Sequence, residues 1–176
     1  MKAETPNKYC FDSSALIWIN RYYPYKLIPD LWKHMDDLFN EKRIISHDLV
    51  YDEIVPDTGA KDEIAKLIEK YKSSFLPISK VQINLVSEIL AKFPKLIDPT
   101  LKKDQADPWL IALVREKMEE ENLFGDDSEY VVISTEGAAS PTKIPAVCKY
   151  FNVRHMHLFD FFEDNAWEFS MKPRKD

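Results

Sequence analysis

Four acids in this chain stand where the local sequence could give them chemical work. Asp12 follows the apolar Tyr9, Cys10 and Phe11 and precedes Ser13, Ser14 and a second apolar run, the order of strand, acid and helix start. Glu53 lies in HDLVYDEIV, Asp107 opens DPWLIALV, and Glu136 ends YVVISTE. Carboxylates brought together repel and raise one another's pKa values unless a cation lies between them. Oxygen-only donors select Mg²⁺ or Mn²⁺, whereas zinc prefers His and Cys. Asp104, one turn ahead of Asp107, is a further candidate ligand. Each acid also has a plainer reading: Asp12 with Ser13, and Asp107 before Pro108, suit helix starts that need no function. What separates the two readings is whether the acids arrive at one place.

The intervening pattern decides where they can arrive. Tyr9–Phe11 is short and apolar enough for a strand buried on both faces, and the helix after Asp12 gives way to a proline-broken loop at Arg21–Pro29. The tyrosines of that loop could stack on bases, although packing is the commoner use. Asp30 caps a helix with Leu31, Trp32, Met35, Leu38 and Phe39 at helical spacing. A short strand at Arg43–Ser46 leads into a helix over His47–Val55, with His47 and Asp48 as caps or, alternatively, metal ligands. Glu53 lies about two turns into that helix. Helices follow at Asp62–Tyr71 and Ser79–Lys92, joined by a short edge strand at Phe75–Ile78, and Phe93–Leu101 is a loop. The helix from Asp107 is apolar over most of its surface and should be central, and acids ahead of a buried helix cost energy unless capped, paired or metal-bound. Glu129–Thr135 is the clearest strand, bounded by a Gly-containing turn. A helix at Pro145–Phe151, a strand at Arg154–His157 and a helix at Leu158–Phe169 close the chain. His155 and His157 alternate in their strand and so face opposite ways.

Alternating strands and helices predict a three-layer α/β/α fold, with right-handed crossovers around a parallel sheet of four to five short strands. In such sheets the strand C-termini share one edge, the edge where ligands bind. Asp12 and Glu136 each follow a strand there, Glu53 reaches it by way of a helix, and Asp107 begins a helix that could point at it.

The 176 residues suit one domain over 1–176, with a core of about 8–169 and tails at 1–7 and 170–176. With 24 Lys and Arg against 30 Asp and Glu, the net charge of −6 provides no global attraction for nucleic acid, so phosphate binding needs a metal or a local basic patch. The acids concentrated in Glu116–Asp127 read as a solvated helix end and loop. Cys10 and Cys148 lie in apolar surroundings and read as buried thiols, and no signal segment or ~20-residue apolar run occurs. A cytoplasmic protein is expected.

Taken together, Asp12 with its strand and Ser-Ser-Ala-Leu-Ile helix, Glu53 of LVYDEIV, Asp107 of ADPWLIAL and Ser134-Thr135-Glu136 resemble the PIN-domain nucleases, widespread as VapC-type toxins of toxin–antitoxin systems. The likeness covers about Tyr9 to Phe169. Two positions depart from the family pattern: Ser14 stands where Asn is usual, and Glu136 replaces the usual last Asp. The resemblance implies a PIN-like fold and Mg²⁺- or Mn²⁺-dependent endoribonuclease activity. Asp12, Glu53, Asp107 and Glu136 would be catalytic metal-site acids, with Glu136 acting through a water, and Ser14 and Thr135 would support them. Lys102 and Lys103, with Lys143 and Lys149, would draw the RNA. The family further implies a cognate antitoxin whose Arg or Lys enters the acidic groove, and often a homodimer, for which Trp18, Trp32 and Trp167 are candidate contacts. A haloacid-dehalogenase-like phosphatase would need an Asp where Ser14 stands, and a receiver domain an acid pair that Cys10-Phe11-Asp12 lacks. A non-catalytic PIN-like module binding RNA or protein is the alternative.

Overall fold

In the computed structural model, which describes residues 6–124 and 128–171, five parallel strands form one sheet in the order β3-β2-β1-β4-β5. The strands are β1 (Lys8–Phe11), β2 (Ile44–His47), β3 (Phe75–Leu76), β4 (Tyr130–Ser134) and β5 (Arg154–His157). Among the described residues eight α-helices surround them: α1 (Ser13–Tyr22), α2 (Pro29–Asn40), α3 (Asp48–Ile54), α4 (Glu63–Lys70), α5 (Lys80–Lys92), α6 (Asp107–Phe124), α7 (Ile144–Tyr150) and α8 (Leu158–Asp164). The chain is therefore a three-layer α/β/α fold.

Burial explains the strand sequences. Tyr9, Cys10 and Phe11 are all buried, as are all five residues of β4, which is why neither strand alternates apolar with polar. Successive side chains still leave opposite faces. Tyr9 and Phe11 meet Phe161 of α8 edge-on at 4.8 and 5.0 Å between ring centres. Burial holds the thiols of Cys10 and of Cys148 in α7 protonated, free and well above the usual range. The α6 helix packs between α5 and α7 and against β1, β2 and β4. Leu110, Ile111, Ala112, Leu113 and Val114 of α6 are fully buried, so this helix is central, as its composition predicts.

Several boundaries differ from the sequence reading, each for a local reason. The α1 helix continues through Tyr22, leaving a shorter loop than 21–29. Pro29, not Asp30, sets the start of α2: proline occupies the first turn behind Ile28, and Asp30 lies inside the helix. The α8 helix stops at Asp164 rather than Phe169, because Ala166 turns left-handed at φ 50° and sends Trp167 back onto Phe161 and Phe162. Trp32 is buried and donates to the Tyr23 carbonyl at 2.7 Å, and Trp167 stacks on His34, so these two serve packing.

Glu116 departs furthest from expectation. It is buried, not solvated, and its carboxylate accepts from Ser79 Oγ at 2.5 Å and Gln82 Nε2 at 2.6 Å. Asp126, Asp127 and the Gly-containing turn before β4, like residues 1–5 and 172–176 of the expected tails, lie outside the described residues. Asn7, expected in a tail, is tied down by contacts to Asp164 and Arg43. No helix among the described residues is long and apolar enough to cross a membrane.

Candidate functional site

The strand order places a switch point at β1. The chain leaves β1 toward β2 and β3 on one side and later fills β4 and β5 on the other. Open α/β sheets bind ligands in the crevice outside such a point. Asp12 and Glu136 stand there, just beyond the ends of β1 and β4, and the Asp12 amide extends the β4 ladder by donating to Ile133 O at 2.8 Å.

Asp12 is buried and does cap α1, accepting from Ser14 N at 3.2 Å. The cap does not account for the whole residue. Burial raises its carboxyl to about 6, opposed by the Ser14 hydrogen bonds and reinforced by the charges of Glu136 and Glu53. Asp107 is half-buried at the first position of α6, with Pro108 second, and it makes no capping bond. Its carboxylate has no hydrogen-bond or ion-pair partner among the described residues. Burial, then Asp12 and Glu136, then Glu53 push Asp107 to about 7, with only Lys143 acting against them. Each of the four acids thus acts on at least one of the others, through side chains drawn from the ends of β1 and β4, the last turn of α3 and the first of α6.

The individual roles differ. Glu53 is exposed. Glu136 is engaged at both oxygens: Oε2 accepts from Ile144 N at 2.9 Å, and Oε1 pairs with Lys143 Nζ at 3.1 Å. Ser14 joins the two halves of the site, since its hydroxyl also accepts the Thr135 amide at 3.2 Å. Beneath them Ser134 Oγ accepts from Glu136 N at 3.2 Å and lies 2.9 Å from His155 Nε2. Burial lowers His155 to about 4 and so keeps it neutral.

Asp104, Lys102 and Lys103 are placed elsewhere. They line a neighbouring cavity of about 310 Å³ with Trp109, Val86 and Leu90. The loop forming its wall is pinned by Gln105, whose amide bonds both the N–H and the C=O of Asp98, at 2.9 and 2.8 Å. A larger hollow of about 570 Å³ between α2 and α4 contains none of the four acids. His47 caps α3 through Nδ1, accepting from Leu49 N at 3.2 Å, and Nε2 lies 3.2 Å from Gln82 Oε1. The ring is buried in the Glu116 network, away from solvent.

A family profile described as Domain of unknown function (DUF4411) matches residues 9–169. The chain belongs to this family. The matched span runs from β1 past α8, so Asp12, Glu53, Asp107 and Glu136 all fall inside the DUF4411 region. No curated protein matches the chain.

The donor set of this DUF4411 chain is all carboxylate, the oxygen ligands that a hard divalent cation takes. No three His, Cys, Asp or Glu side chains among the described residues are already gathered into a metal-holding cluster.

Proposed function

We propose that this protein is a metal-dependent endoribonuclease of PIN-like architecture, acting as the toxin of a type II toxin–antitoxin system in the cytoplasm. The observation that carries the nuclease reading is the partnerless Asp107 carboxylate, raised to about 7 by burial and by Asp12, Glu136 and Glu53 together. The start of α6 favours an anion, but the burial and the three neighbouring acids act against the charge, and a bound cation would offset them. The toxin assignment rests on the resemblance in the four motifs.

Asp12, Asp107 and Glu53 would hold Mg²⁺ or Mn²⁺, with Glu136 at the rim. When bound, such an ion lowers the pKa of a coordinated water and stabilises charge on a phosphodiester undergoing displacement. The chain's own groups do the positioning. Ser14 holds the Asp12 carboxylate from its amide and fixes the Thr135 turn through its hydroxyl. The β1 and β4 ends, locked in register, set the spacing between Asp12 and Glu136. Burial keeps water away from Asp12, which strengthens its hold on any cation. Lys102 and Lys103, exposed beside the Trp109 cavity, offer cations to the sugar–phosphate chain some way from the acids. The expected partners are RNA, an antitoxin delivering a cationic side chain to the acids, and a second copy of the chain.

Cleavage of a fluorescently labelled RNA in Mn²⁺, abolished by EDTA and by Asp12→Asn, is the expected result. RNA binding without cleavage, indifferent to EDTA, overturns the nuclease and leaves a binding module.

A further inference from the structure

The acidic crevice has a cation of its own. Lys143 immediately precedes α7, seven residues beyond Glu136, and its ammonium lies 3.1 Å from Glu136 Oε1. The other Glu136 oxygen accepts the Ile144 amide at 2.9 Å, so one carboxylate binds two successive residues at the start of α7. Lys143 itself provides no side-chain cap for that helix, leaving Glu136 to serve from a distance. The longer side chain of Glu bears on this, because its extra methylene extends the reach from the end of β4. Lys143 is half exposed and feels Asp107 and Asp12 as well as Glu136. It is also the cation that most strongly opposes the mutual repulsion at Asp107.

We propose that Lys143 is a resident counter-ion of the acidic crevice, holding Glu136 while the crevice lacks a divalent ion and turning to an RNA phosphate once one is bound. This rests on the metal-dependent nuclease reading and adds a residue and an exchange to it. The physical basis is that an ammonium and a divalent cation compete for one set of carboxylates. Arrival of the ion neutralises the field that keeps Lys143 over Glu136. The lysine's stem is flexible and its head partly solvated, so it can move to phosphate without dragging α7, which keeps the Ile144 bond.

Lys143→Met retains the stem and removes the charge, and Lys143→Arg retains the charge. Mn²⁺ binding is read by electron paramagnetic resonance on both variants, the wild type and Asp12→Asn. RNA binding is read by anisotropy in Ca²⁺ over a range of salt, and circular dichroism confirms that each variant is folded. The expected results are Mn²⁺ affinity about tenfold tighter in Lys143→Met, from loss of one like charge beside the ion, and wild-type behaviour in Lys143→Arg. RNA affinity in Lys143→Met should weaken, with a salt slope shallower by about 1. Mn²⁺ affinity unchanged or weakened in Lys143→Met, or an unchanged salt slope, overturns the counter-ion role while Asp12-dependent Mn²⁺ binding keeps the nuclease reading intact. No Asp12-dependent Mn²⁺ binding in either wild type or Lys143→Met overturns both.

Discussion

The hydroxyl of Ser14 accepts the amide of Thr135 across 121 residues of sequence, at 3.2 Å, while the Ser14 amide donates to the Asp12 carboxylate. One small residue thereby ties the start of α1, the end of β4 and the buried acid into a unit. Asn at this position would be longer, and Ser fits because the Thr135 turn comes within reach of its single oxygen.

Ser14→Ala should therefore disturb the site more than the fold. Removing one partly buried hydrogen-bonding group costs about 1 kcal/mol. Because the Ser14 hydroxyl helps hold the Asp12 carboxyl down against burial, its loss raises the pKa further, while the Ser14 amide bond remains. The pH midpoint of Mn²⁺ binding should move upward, by potentiometric or resonance titration, with a fall in unfolding midpoint of only a few degrees.

Asp12 itself should be a liability to the metal-free protein. Its folded-state pKa of about 6 lies above the ordinary 3.8, so the native state binds the extra proton. The Asp12 contribution to stability is then greatest at acid pH and declines as pH rises from about 4 through 6, by on the order of 3 kcal/mol at ~1.36 kcal/mol per pH unit. Asp12→Asn keeps an amino acid that caps helices well and removes this loss. Chemical denaturation in EDTA should find Asp12→Asn more stable than wild type at pH 8 and nearly equal at about pH 3.5. Saturating Mn²⁺ should reverse the order at pH 8. A difference in stability between Asp12→Asn and wild type that does not grow between pH 4 and 7 in EDTA would contradict the burial assigned to this carboxylate, since taking the difference cancels the contributions of His155 and Asp107.

Glu136→Asp tests why the last acid is Glu. Shortening by one methylene should free the Ile144 amide and fray α7, costing about 1 kcal/mol as lost caps do. Faster amide exchange at Ile144–Val147, with the β4 amides still protected, is the expected signature.

The Glu116 network carries the largest structural prediction. Ser79, Gln82 and His47 are satisfied through one another and through the Glu116 carboxylate in the interior. Glu116→Ala leaves Gln82 and Ser79 without their acceptor and should cost about 3 kcal/mol, seen as a lower urea midpoint at unchanged slope. The metal affinity of the crevice should be unaffected, since Glu116 serves the α5–α6 seam.

Much of this protein was legible along the chain because the signals were local. Continuous apolar runs marked β1, β4 and α6, since strands and helices covered on all sides have no polar face to alternate with. Asp12, Asp62 and Ser79 announced helix starts, and each accepts the backbone amide such a cap should. The βα alternation was enough for a parallel sheet with a shared C-terminal edge, and so for the meeting of Asp12 with Glu136. Other features needed the third dimension. Glu116 sits in an acid-rich stretch that reads as solvated, and only the packing of α5 on α6 turns it inward toward Ser79 and Gln82. Asp107 looks like a cap in sequence; only the fold buries it and brings it within the field of three acids distant along the chain. Lys143 is one lysine among many until the chain folds back seven residues after Glu136 and sets its ammonium on that carboxylate. Local propensity is a property of neighbours in sequence, whereas charge interacts with whatever the fold brings near.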